Sequence, residues 1–383
     1  MNEKEVSEIR RRLRPEKNNI THVCGCYVND QREIVSLFSQ SLTMMAQEEA
    51  ETYLALLKKC LSGTLGKNLI DISFATRQVA DSDEHRLLMA LRSTELKDRG
   101  VVEDFCRKII EGLTFEGSYL ILLAQDTYDV PFRAKDGERQ DDASEEVYTY
   151  LLCTVCPVKA VKPALRYASE EHLFRSRDGG WVVAAPELGF LFPAFNQRAT
   201  DLYHALYYSR DTAETHQDFV DAVFKTELPM PAAAQRETFQ SLLGDTLGEE
   251  CSFQVAKAVH DDLCSRIEAQ KEHRDLEMLT ISKAEVREVL EDCGVSDSRA
   301  DRFSEEFDAA FGEGADLSPR NIVDEKQFEI KTPDVTVRVN PERSDLVETR
   351  VIGGVRYILI RADEGVEVNG VSISIEEQEK AGV

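Results

Sequence analysis

His22, Cys24 and Cys26 stand two apart in the run HVCGCYVND, the densest cluster of reactive side chains in the first 150 residues. At that spacing they could ligate a metal, cycle between thiol and disulfide, or share one face of a strand. Zinc takes four ligands, supplied as C-x₂₋₄-C or H-x₃₋₅-H pairs. Cys24 and Cys26 form C-x-C, and no second pair with metal spacing follows. Free cysteine packs as a small hydrophobe, so strand packing is the expectation. Cys153 and Cys156 in CTVC have a redox spacing, but a redox C-x-x-C opens a helix, and this one lies inside VYTYLLCTVCPV, a run of strand character. Strand positions three apart face opposite sides, so these two thiols are expected to point apart. The segment SGTLGKN is too short for a phosphate loop and runs into LIDISF, a strand, so it reads as a turn. His204 and His216 lie near Asp201, Asp211 and Asp218 without the spacing of a metalloprotease helix. No nucleophile elbow, kinase set or dinucleotide fingerprint is present. An enzyme would have to assemble its site from scattered residues such as His22, Asp71, His204 and Asp211. No catalytic residue, metal ligand or cofactor is expected.

The chain that must position these residues has 383 of them, 42% hydrophobic and 31% charged, enough for two or three domains with real cores. No apolar run approaches the roughly 20 residues of a membrane span, and MNEKEVSEIRRRLRPEKNN has no apolar core of a secretory signal. Nine scattered cysteines then read as reduced thiols, and the location expected is cytoplasmic. A net charge of −25 argues against wrapping a polyanion by bulk electrostatics. Within the first twenty residues, however, six basic side chains stand against four acidic ones.

Residues 3–13 pattern as a helix stopped by Pro15. Residues 20–28 alternate with period two, Asn29-Asp30 supplies a turn, and REIVSLF rises as a second strand, giving a hairpin. Residues 46–61 form an amphipathic helix, with further helices at 82–92 and 101–112. YLILLAQD reads as a buried strand, 133–146 as a charged surface loop or disordered excursion, and 147–157 and 181–185 as strands. WVVAAPELGFLFPAFNQRATDLYHALYY is the most apolar and aromatic stretch, with the only tryptophan inside it; it reads as core ahead of a binding cleft or a domain interface. From 212 the texture is helical; Ser282 and Glu285 have capping-box spacing, and residues 283–325 carry thirteen acidic and five basic side chains. From about 326 period two returns, with Gly353-Gly354 marking a tight hairpin. The fold class expected is α+β. The division expected is an N-terminal α/β domain over 1–210 that starts with a hairpin, a helical region over 211–325, and a small antiparallel β-module and tail over 326–383.

EIRRRLRPEKNNITHVCGCYVND, KNLIDISFATRQVADSDEHRLLMALR, PELGFLFPAFN and ALYYSRDTAETHQDFVDAVF together resemble an uncharacterised bacterial family known only as a domain of unknown function. The likeness spans nearly the whole chain and brings no activity with it. The order of parts is also similar to the 37-kilodalton class of nucleoid-associated proteins. HQDFVDAVF, the long helix from Cys251, LTISKAEVREVL and VRYILIRADEGVEVNG carry that likeness. It implies association with chromosomal DNA and supplies no catalytic residues to carry over; it is a fold-level analogy.

Three readings follow. The first is a non-enzymatic protein associated with DNA or with a nucleoid protein, touching nucleic acid through Arg10, Arg11, Arg12, Arg14 and Lys17. The second is a protein–protein interaction or assembly module, a homo-oligomer included, without DNA or membrane. The third is an enzyme with a site outside the known motifs.

Overall fold

The computed structural model describes residues 1–133, 139–168, 170–177, 179–273, 279–362, 365–368 and 371–373. They form two compact units, one over Met1–Ala234 and one beginning at Gln235. The first contains α1 (Glu3–Arg12), β1 (His22–Val28), β2 (Ile34–Ser41), α2 (Gln47–Lys59), β3 (Leu69–Ser73), α3 (Thr76–Asp81), α4 (Asp83–Ser93) and α5 (Arg99–Gly112). It continues with β4 (Tyr119–Arg133), β5 (Arg139–Val161), β6 (Ala164–Ala168), β7 (Leu173–Arg177), β8 (Gly180–Val183), β9 (Leu188–Phe192), β10 (Ala194–Asn196), β11 (Ala199–Asp201), β12 (His204–Ser209) and α6 (Gln217–Phe224).

Its main sheet runs in the order β2-β1-β4-β5-β9-β12-β3, with β8 pairing the far end of β5. The pairings are antiparallel, and Cys24, Leu123, Cys153 and Phe190 fall in one register row across four strands. Because strand side chains alternate, the sheet feeds two cores. Cys24, Cys26, Leu123, Cys153 and Phe190 pack with Leu88 and Leu91 of α4, Phe105 and Ile109 of α5, and Phe219 and Phe224 of α6. Val23, Leu122, Leu152 and Cys156 pack on the other side with Val6 and Ile9 of α1 and Leu54 and Leu57 of α2. Cys153 and Cys156 therefore face opposite cores, as their spacing predicts. Each fully buried aliphatic or aromatic side chain contributes about 1.5–3 kcal/mol, and coverage on both faces explains why the central strands are mostly apolar. α1 starts on a capping box between Asn2 and Glu5.

Two expectations are corrected. The stretch 133–146 is not a loop throughout: β4 runs to Arg133 and β5 begins at Arg139, while residues 134–138 lie outside the described residues. Ladder bonds between backbones hold this extension, so it needs no apolar side chain. Trp181, placed by composition in a core segment, is 65% exposed on β8.

The second unit is helical and then β. α7 (Ala232–Leu247), α8 (Phe253–His273), α9 (Lys283–Asp292), α10 (Asp297–Phe311) and α11 (Pro319–Ile322) are followed by three separate antiparallel pairs. These are β13 (Phe328–Lys331) with β14 (Thr336–Val339), β15 (Val347–Ile352) with β16 (Val355–Ile360), and β17 (Val366–Val368) with β18 (Val371–Ile373). Phe239, Leu263, Val286, Leu290, Phe303 and Phe307 build its core. Ser282 and Glu285 close the expected capping box on α9. Gly353 and Gly354 both take positive φ, 59° and 82°, the backbone a two-residue hairpin turn requires. The chain is α+β, with a hairpin start, a helical middle and small antiparallel pairs at its C-terminal end. Among the described residues no helix is long and apolar enough to cross a membrane.

Candidate nucleic-acid interface

β5 does not end at the sheet. Past Val161 the chain crosses Lys162 and Pro163 and continues as β6, which pairs β7 in a two-stranded ribbon. Pro163 has no N–H to give a ladder, and the ribbon is a sheet separate from the β5–β8 pairing. The register sets Leu165 opposite Ser176, Arg166 opposite Arg175 and Tyr167 opposite Phe174. Alternation then divides the ribbon: Arg166 and Arg175 share one face, and Leu165, Tyr167 and Phe174 the other. Leu165 is 73% exposed and Phe174 66%; Tyr167 is exposed too, with its ring 5.3 Å from that of Phe174.

The charge of the ribbon is opposite to that of the chain. Residues 159–177 hold five basic and two acidic side chains, whereas the whole carries −25. Like charges directly across a ladder destabilise it. Arg175 is relieved by Glu171, to which its Nε donates at 2.6 Å, but Arg166 makes no ion pair among the described residues. This element lies outside the strands expected from the sequence. Its signal was present in ALRYA and LFRSR, where basic and aromatic side chains interleave at period two.

The N-terminal arginines occupy different settings. Arg12 is 14% exposed at its side chain and donates Nε to Asp126 Oδ2 at 3.0 Å and Nη2 to the Thr127 carbonyl at 3.1 Å. Its guanidinium also lies 4.3 Å from the Tyr128 ring centre. Burial lowers its proton affinity, but Asp126 and Tyr150 more than compensate and the net shift is upward. Asp126 is fully buried and further accepts from Tyr150 Oη and the Asn19 N–H, each at 2.7 Å. Arg12 is therefore engaged inside the fold. Arg11, Arg14 and Lys17 are exposed and Arg10 is half-buried, and none of the four makes an ion pair among the described residues.

Of the scattered residues that could have built an enzyme site, the fold joins two and adds a third. His204 Nδ1 lies 2.7 Å from Asp201 Oδ2, and its Nε2 lies 3.7 Å from Asp71 Oδ2. Burial pushes Asp71 up, partly offset by neighbouring positive charge and His204. Asp201 is drawn down: burial opposes this, but hydrogen bonds from Asn196, the Tyr203 N–H and His204 prevail. The imidazole is thus flanked by carboxylates at both nitrogens, beside the edge strand β3. Among the described residues no group of three or more His, Cys, Asp or Glu is placed to hold a metal ion. Cys24 and Cys26 are buried strand residues, and burial pushes the Cys24 thiol up.

These features define an α+β protein whose first unit is an antiparallel sheet covered by helices on both faces, with a cationic and aromatic ribbon continuing from its central strand. Over residues 1–371 the sequence matches the family model of a domain of unknown function, DUF4317, and the chain belongs to that family. A search of curated proteins gives no match.

Proposed function

We propose that this chain is a non-catalytic nucleic-acid-binding protein whose β6–β7 ribbon is the principal contact. The observation that carries the reading is Arg166 set directly opposite Arg175 on a ribbon whose other face exposes Tyr167 and Phe174. A two-stranded ribbon fits the major groove of a duplex. Guanidinium groups bind phosphate oxygens bidentately, and exposed aromatic rings stack on unpaired bases. An anionic partner would relieve the cross-strand repulsion that the free ribbon bears. The likeness of the order of parts to nucleoid-associated proteins makes DNA the first polymer to test, with Arg10, Arg11, Arg14 and Lys17 as a second contact.

The test is fluorescence anisotropy of labelled single-stranded and duplex DNA titrated with full-length protein across a range of salt. Four phosphate contacts would give a log–log salt slope of about −3 to −4. Arg166→Glu with Arg175→Glu should abolish binding while leaving the melt unchanged. Tyr167→Ala with Phe174→Ala should weaken single-strand binding more than duplex binding. Absence of binding at low salt, or binding indifferent to the charge reversal, would reject the reading. A salt-sensitive dimer lost in the same variants would put the assembly module in its place.

A further inference from the structure

β15 and β16 form a hairpin that no third strand joins among the described residues. A two-stranded hairpin alone in water is marginally stable, and further strands or a packed face are what secure it. This one leaves Val351, Ile352, Val355, Tyr357 and Ile360 exposed, spread over both of its faces. Its six rungs run without a bulge, and neither strand holds a proline or a lysine, so three devices that blunt a sheet edge are missing from it.

The ladder fixes which backbone groups the open edge of β15 presents. The Arg361 N–H donates to the Leu346 carbonyl at 2.8 Å, one rung beyond Val347 and Ile360. Bonded rungs alternate in an antiparallel pair. Glu348, Arg350 and Ile352 therefore turn their N–H and C=O towards β16, and Thr349 and Val351 turn theirs outward. Glu348 and Arg350 flank Thr349 on one face; both are exposed, and they pair along the strand at 2.9 Å.

That order is self-complementary. Two copies of β15 related by a twofold axis at Thr349 run antiparallel, with Thr349 opposite its own counterpart in a bonded rung. Glu348 of each copy then faces Arg350 of the other in the unbonded rungs, where side chains come closest. The two adjacent registers that also pair the outward groups centre on Glu348 or Arg350, and each sets a charge against its own copy. β16 holds Arg356 and no carboxylate, so its edge offers no such match.

We infer that the open edge of β15 takes a second copy of this chain, the two hairpins joining about a twofold axis at Thr349 into a four-stranded sheet. A twofold junction closes on itself, so the product is a dimer and not a filament. The inference does not rest on nucleic-acid binding by the ribbon.

The test is sedimentation velocity of the full chain over a concentration series, paired with thermal melts. The wild type should pass from monomer to dimer as concentration rises. Glu348→Arg and Arg350→Glu should each weaken the dimer about tenfold or more, because each sets like charges across the junction. An equal mixture of these two variants should dimerise, since their charges are then opposed, and Glu348→Arg with Arg350→Glu in one chain should dimerise as the wild type does. Thr349→Pro removes an outward N–H and none from the ladder to β16, and should leave a monomer. Melts of the charge variants should match that of the wild-type monomer. A wild type that stays monomeric throughout the series overturns the inference. So does a dimer that Glu348→Arg leaves intact, a doubly reversed chain that fails to dimerise, a filament in place of a dimer, or a dimer lost on Arg166→Glu with Arg175→Glu.

Discussion

Arg12 donates to Asp126 across 114 residues of chain, and the carboxylate it meets is fully buried. Breaking such a pair from one side leaves an uncompensated charge in the interior, which costs about 3–5 kcal/mol. Arg12→Ala should therefore move the urea midpoint strongly. Arg10→Ala, Arg11→Ala and Arg14→Ala should each stay within about 0.5 kcal/mol, as surface changes do. A DNA-binding test that neutralises the N-terminal arginines must leave Arg12 in place, since its loss would act through the fold.

Two strand glycines should respond unequally to a methyl group. A Cβ on Gly189 would sit 2.4 Å from the Cys153 carbonyl oxygen and 3.1 Å from Cys60 Cβ. Backbone of the neighbouring strand cannot yield there, so Gly189→Ala should cost about 3 kcal/mol or more, at the upper end of overpacking penalties. A Cβ on Gly25 would meet the tip of the Phe38 ring at 2.0 Å. That ring is half-buried on the edge strand and can swing away, so Gly25→Ala should cost about 1–2 kcal/mol. Much of that cost should vanish in the background of Phe38→Ala, which a double-mutant cycle will measure.

The Asp201–His204 pair gives a pH dependence with a definite sign. A carboxyl drawn down on folding adds stability above its unfolded value, near 3.9, and loses it as pH falls through the folded value. Asp71, pushed up chiefly by burial, acts in the opposite sense: folding takes up its proton just above the ordinary carboxyl range, so its term falls as pH rises there. Asp201→Asn should lower stability at neutral pH, and that deficit should shrink as pH falls through the folded value of Asp201. Urea midpoints of wild type and variant that stay parallel through the acid range would contradict this.

Thiol titration should follow burial. Cys293 is exposed, Cys251 and Cys264 are half-buried, and Cys24, Cys26, Cys60, Cys106, Cys153 and Cys156 are buried. Burial pushes Cys156 up to about 12, and a hydrogen bond with Cys26, followed by burial, holds the Cys106 proton in place. An aromatic disulfide reagent should label one thiol quickly and two more slowly, and reach the last six only in denaturant. Fast labelling of any of the six would mean that the sheet opens locally.

Secondary structure was legible wherever one physical pattern dominated. The alternation of His22 to Val28, the caps at Ser282 and Glu285 and the Gly353-Gly354 turn each encode a local geometry in adjacent residues. Three features were not legible, for three reasons. The arginine at position 12 has the same local setting as Arg11, and only its remote partner Asp126 separates them. Trp181 lies in an apolar stretch, and composition cannot say which end of that stretch leaves the core. His204 and Asp71 are 133 positions apart in the sequence, and it is the pairing of β12 with β3, His204 opposite Ser73, that brings them together. The ribbon was within reach of the same period-two argument, but its signal was basic and aromatic rather than polar and apolar.

The ribbon grows from β5, which is bonded on one side to β4 and on the other to β9. The chain leaves the ribbon again into β8, which pairs Val158–Val161 of β5, so tension applied at the ribbon would meet the β5–β8 ladder first and reach β4 and β9 behind it. An edge strand, loaded the same way, would peel from a single partner, one rung after another. The arm is thus rooted in two strands at once, and a pull on it would be shared between β5 and β8 before it reached the strands of the core.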